Sequence, residues 1–189
     1  MASTFPTSLD NFTNPTATSL LTSPSHSLSH SDLNDAVEAL EAKVAIGNTV
    51  LGTYIAYTPT INNFTIGNGT ITSAYCQVNK LVHYYGKFVY GSTSTFGAGN
   101  VTITLPINPD FISSSPFLYT AFGTTSITDA SAGATYVGVA QPNGAGTAFF
   151  ASVINTAGTY TAWIMVNATT PMTWAAGDYI TWNLIYRIA

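Results

Sequence analysis

From Thr53 to its last residues the chain repeats one local pattern: a short run of β-branched and aromatic residues, then a turn signal. The runs are 53–57, 71–78, 81–90, 101–105, 117–122, 135–141, 147–154, 160–166 and 179–188. Branched and aromatic side chains suit a pleated surface, while Gly, Asn and Pro supply the backbone angles that turns need. The punctuation is Gly67-Asn68-Gly69, Asn79-Lys80, Gly97-Ala98-Gly99-Asn100, Pro142-Asn143-Gly144, Ala157-Gly158 and Ala176-Gly177-Asp178. Asn79-Lys80 between two runs predicts a two-residue hairpin loop. In 101–105 the alternation predicts Val101, Ile103 and Leu105 facing inward, with Thr102 and Thr104 facing out. Short strands at this spacing predict a mainly β fold, an antiparallel β-sandwich of jelly-roll type over residues 49–189. No long helical pattern interrupts them, which excludes α/β folds, and there is no internal repeat.

Residues 31–48 read differently. Leu33, Val37, Leu40 and Val44 are spaced 4, 3 and 4 apart, a narrow heptad seam. Asn34, Asp35, Glu38 and Glu41 occupy the other faces. Ser29 or Ser31 is a candidate N-cap, Asp32 and Asp35 fall in the expected first turn, and Gly47-Asn48 supplies the stop. The spacing predicts a helix over 31–46. Its seam fits a short trimerisation helix, or a single helix packed by the same stripe on the domain that follows. The register runs back through His30 and His26. If this stretch is helical, the two rings share a face and either chelate a metal or pack near an axis. If Pro24 and the neighbouring serines keep it non-helical, both rings are solvated.

Residues 1–30 hold three prolines, many hydroxyls and one charge, Asp10. No period in them builds an interior. Phe5, Leu9, Phe12, Leu20 and Leu21 recur at intervals, which suits an extended arm whose side chains enter pockets on another protein, or a disordered terminus.

Charge narrows the function classes. Only 6% of residues are charged, against about 25% in ordinary soluble proteins. Polarity comes instead from 30 Thr, 17 Ser and 14 Asn. Four Lys plus Arg and a formal charge of −4 cannot neutralise a phosphate backbone, so no nucleic-acid partner is expected. No apolar run approaches the roughly 20 residues that cross a bilayer, and Met1 to Pro6 carry no basic or apolar leader region, so neither a membrane role nor a Sec signal is expected. Cys76 stands alone, without an intrachain disulfide partner.

The titratable groups of the β-region are sparse. A carboxylate pair for glycoside hydrolysis would have to come from Asp110, Asp129 and Asp178, all in turn contexts. A triad would need His83, mid-strand, and no Gly-x-Ser-x-Gly elbow or phosphate loop is present. The expectation is no enzyme, no cofactor and no dedicated metal. Five Asn-x-Thr sequons, at Asn11, Asn63, Asn68, Asn100 and Asn167, are what abundant Asn and Thr produce by chance. Trp163, Trp174, Trp182, Tyr119, Tyr136 and Tyr160 are candidates for flat platforms that hold sugar faces, or else fill the core.

In its first 48 residues the chain resembles a known module. Phe5 to Pro15 (Phe-Pro-Thr-Ser-Leu-Asp-Asn-Phe-Thr-Asn-Pro), then Pro24-Ser25-His26-Ser27-Leu28-Ser29-His30, then Asn34-Asp35-Ala36-Val37-Glu38-Ala39-Leu40 are similar to the N-terminal module of tailed-bacteriophage structural proteins. These proteins are of the tail-fibre, minor-tail and head-fibre kinds. Gly67-Asn68-Gly69-Thr70 and Gly91 to Gly97 resemble, more loosely, the C-terminal domains carried on such proteins. The resemblance implies a virion component and a homotrimeric appendage. Its residues 1–30 would hold it to a phage capsid or tail protein. Separately from the resemblance, the Tyr, Trp and hydroxyl content of the β-domain makes host cell-surface glycan a further candidate partner.

Overall fold

The computed structural model describes residues 26–44, 52–110, 121–156, 158 and 161–188. The chain divides between Thr53 and Tyr54 into two units. Phe5, Leu9, Phe12, Leu20, Leu21, Tyr119 and Tyr160 lie outside the described residues.

In the first unit, helix α1 spans His26–Val44 and is longer at its start than the capping signals predict. Ser29 and Ser31 lie inside it rather than at its N-cap position, residues 26–30 belong to the helix rather than to an arm, and no acidic residue falls in its first turn. Serine is only mildly unfavourable inside a helix, and Pro24 ahead of the start is compatible with it, so nothing local stops the helix before His26.

The second unit is built from twelve described strands: β1 (Ile55–Ala56), β2 (Ile61–Asn62), β3 (Phe64–Thr65), β4 (Thr70–Val78), β5 (Leu81–Val89), β6 (Thr95–Phe96), β7 (Thr102–Thr104), β8 (Gly123–Asp129), β9 (Ala134–Pro142), β10 (Ala148–Asn155), β11 (Ala162–Met165) and β12 (Tyr179–Arg187). Ten of them form one antiparallel sheet in the order β1-β4-β5-β12-β8-β9-β10-β7-β2, with β11 also on β10. Strands β3 and β6 pair separately. The large sheet curls, a mainly β arrangement of the sandwich and jelly-roll type. One face encloses the core: Val82, Tyr84 and Phe88 of β5, Ile180, Trp182 and Leu184 of β12, Ile127 of β8 and Phe149 of β10. The alternate residues of β5, β12 and β8 turn outward, as the two-residue period of a strand requires.

Particular sequence features produce this curl. Val78 pairs with Leu81, so Asn79-Lys80 is the two-residue loop, with Asn79 at φ 54°, a region asparagine tolerates. Gly138 of β9 lies where a Cβ would stand 1.7 Å from the Ser152 carbonyl oxygen. Only a residue without a side chain lets β10 approach there, and the Thr125 hydroxyl donates to the same carbonyl at 2.8 Å. Two turns far apart in sequence also lock together: the Asn68 Oδ1 accepts from the Thr93 amide at 2.9 Å, and its Nδ2 donates to the Ser92 hydroxyl at 3.0 Å.

Two strand expectations are corrected. Val101, Ile103 and Leu105 are buried as the alternation predicts, but Thr102 is buried too and Thr104 half-buried. β2 covers them, and their hydroxyls accept from Asn62 Nδ2 and from the Thr60 amide. Strand β8 is not among the expected runs; the expected run at 117–122 ends just before it. Its sequence, Gly-Thr-Thr-Ser-Ile-Thr-Asp, has one large apolar residue, so hydrophobic periodicity does not reveal a strand that lies in mid-sheet.

Candidate functional site

Two surfaces carry side chains that the fold does not use internally. The first is the seam of α1. Leu33, Val37 and Leu40 are 56%, 45% and 52% exposed, and Leu28 is 45% exposed. Val44 is the last helical residue. On the same stripe, His26 Nε2 and His30 Nε2 stand 3.1 Å apart, their rings edge to face. The helical register brings these two rings together and overturns the reading in which this stretch is non-helical.

The second surface is the outer face of β4, β5, β12, β8 and β9. Strand register sets two rows across it. One runs Thr72, Lys87, Thr181, Ser126, Val137, and the other Ala74, Tyr85, Asn183, Thr124, Val139. All of them but Ala74 and Val139 line an open groove of about 800 Å³. Its width from β5 to β9 is three strand spacings, roughly 14 Å. One end is held by a short relay. The Tyr54 hydroxyl donates to His83 Nδ1 at 2.6 Å, and His83 Nε2 donates to Asn183 Oδ1 at 2.9 Å. Asn183 keeps its Nδ2 as a donor. Tyr85, 41% exposed, meets Tyr54 edge to face at 5.2 Å between centroids. Ser126 and Thr181 share a hydroxyl hydrogen bond of 2.6 Å, and the Lys87 ammonium sits 3.8 Å over the Tyr179 ring. The groove thus offers a fixed aromatic face, a strip of hydroxyls, an amide and one cation.

The three candidate carboxylates each serve a local structure. Asp178 is buried and accepts from the Ala130 and Ala175 amides at 2.9 and 2.6 Å, tying two turns together. Asp129 accepts from the Ala132 amide and the Ser131 hydroxyl, and these bonds hold its carboxyl below the usual carboxylate range. Asp110 pairs with Arg187 Nε at 2.7 Å. His83 lies half-buried in β5 as a relay member, and Cys76 is buried and free.

The aromatic candidates divide. Trp182 is 3% exposed and belongs to the core. Trp174 packs with Tyr90 and Phe96, its Nε1 donating to the Asn167 carbonyl at 3.0 Å. Tyr136 packs against the core, while Trp163 on β11 is 48% exposed. The exposed ring in the groove is Tyr85, which sequence reasoning does not single out. The signal for it was the alternation Val82-His83-Tyr84-Tyr85, which places one tyrosine on each face. The sequon amides of Asn63, Asn68 and Asn100 donate within the fold, to Asn100 O, Ser92 Oγ and Met165 Sδ. Asn167 Oδ1 accepts from the Thr169 amide, and Asn11 lies outside the described residues. Among the described residues no helix is long and apolar enough to cross a membrane.

The second unit is therefore a curled antiparallel β-domain with an open polar groove on its outer face. Its chain is similar in fold to a solved structure of avian reovirus sigmaC spanning residues 117–326, with a TM-score of 0.35 and 14% sequence identity over 88% of this chain and 91% of the other. No known family profile and no curated protein matches the sequence.

Proposed function

We propose that this protein is a non-enzymatic bacteriophage virion component. It would be a homotrimeric surface appendage, a fibre or decoration protein, held to a capsid or tail protein by its N-terminal residues. The observation that carries this reading is the α1 seam: Leu33, Val37 and Leu40 stand exposed at heptad spacing, with Asn34, Asp35 and Glu38 on the other faces of the helix. Exposed leucines at that spacing lose water contact when copies pair along them, at about 25 cal/mol per Å² buried. A helix of 19 residues is short for a coiled coil acting alone, which suits an alignment role beside larger contacts. Sedimentation equilibrium of the full chain tests the reading. A mass of three chains is expected, and a monomer at micromolar concentration contradicts it. Locating the chain in a density map of the intact particle tests the anchoring.

The groove favours a second role for the same appendage, adhesion to host cell-surface glycan. Tyr85 offers a ring face, and Thr124, Ser126, Thr181 and Asn183 offer hydroxyls and an amide within hydrogen-bonding reach of a sugar laid across it. A glycan array with wild type and Tyr85→Ala tests this, with retention expected for the first and lost for the second.

A further inference from the structure

We propose that His26 and His30 form a chelating pair for a divalent transition-metal ion of the zinc class. The helix brings Nε2 of each ring to 3.1 Å from the other, on one exposed face. Zinc binds imidazole nitrogen at about 2.0–2.1 Å, so two nitrogens sharing it lie roughly 3.3 Å apart at a tetrahedral angle and roughly 2.9 Å apart at a right angle. The observed separation of 3.1 Å falls between these values, so the two nitrogens already stand at the spacing a shared ion requires. Without an ion the contact is a hydrogen bond, in which one ring donates its Nε2 proton to the lone pair of the other. Binding displaces that proton and leaves each ring protonated at Nδ1.

Among the described residues no group of three or more His, Cys, Asp or Glu side chains gathers for a metal, so the chain supplies two donors. Water, or equivalent pairs on neighbouring copies, completes the coordination. The pair occupies the same stripe as Leu33, Val37 and Leu40, one and two turns ahead of Leu33, so the ion would stand at the head of the seam. The proposal stands on the geometry of one chain and does not rest on the trimer.

The test is isothermal titration of zinc chloride into the metal-free full chain, with Co²⁺ absorption as a second measurement. Wild type is expected to bind. His26→Ala and His30→Ala are each expected to weaken binding at least about tenfold, since losing one arm of a chelate removes the effective concentration the other supplies. Circular dichroism of each variant shows that the fold persists, and His30→Gln serves if the alanine variant loses helix. Absence of binding by wild type at millimolar metal overturns the proposal. So does binding that survives both alanine substitutions and disappears with His83→Ala. Sedimentation of the same samples with zinc and with chelator reports separately on self-association, so failure of the metal site and failure of the trimer are read independently.

Discussion

Gly138 and Tyr84 show how single positions act on the stability of the β-domain. A methyl at Gly138 would meet backbone, the Ser152 carbonyl, which has no flexible end to yield. Gly138→Ala is therefore expected to cost about 1–3 kcal/mol, read as a fall in the urea midpoint. Gly144→Ala, where nothing lies within 4 Å of the added atom, is the control and should stay within about 0.5 kcal/mol. Burial pushes the phenols of Tyr84 and Tyr186 above the ordinary tyrosine range. A raised folded-state value means the core holds the neutral form, while the unfolded chain ionises near pH 10. Stability is complete below that pH and falls above it, by about 1.4 kcal/mol per pH unit for each such tyrosine. Tyr84→Phe should reduce this alkaline slope in urea unfolding followed by tryptophan fluorescence. An unchanged slope would refute the assignment.

At the scale of elements, α1 and the turns between strands carry the predictions. Leu33→Glu with Leu40→Glu places charge on the seam, where like charges of neighbouring copies oppose association. The double variant is expected to sediment as a monomer while the β-domain melts at an unchanged temperature. Asp178 joins the turns at Ala130 and Ala175. Asp178→Ala leaves both amides without their acceptor, at an expected cost of about 1–3 kcal/mol, measured by thermal unfolding. The element that sequence pattern missed, β8, shows a limit of periodicity. Its Thr125 is buried because the hydroxyl donates to Ser152 O, a partner supplied by another strand and invisible locally.

For the whole molecule, the division at Thr53 separates two modes of stabilisation. The buried hydrophobic core among the described residues runs from Ile61 to Ile188, entirely within the second unit. A fragment of residues 54–189 is therefore expected to fold alone, giving a β-type circular dichroism spectrum. Under the proposed function it should also lose the sedimenting mass of a trimer. A fragment that is unfolded would show that the first unit contributes to this core.

The alternation of branched and polar residues, the turn signals and the heptad spacing are local properties. They sufficed for the strand-rich character of 53–189, the Asn79-Lys80 hairpin and the exposed stripe on α1. The sequence alone also determined that charge would be scarce across the β-region. What needed the tertiary structure was everything set by long-range pairing: the single curled sheet, the burial of Thr102 and Thr125, and the choice of Tyr85 rather than a tryptophan as the ring in the groove. The groove takes residues from five strands, and although members on one strand stand two apart, the strands themselves lie far apart in sequence. Only the register between strands brings them side by side, and register is decided by which faces the whole sheet buries.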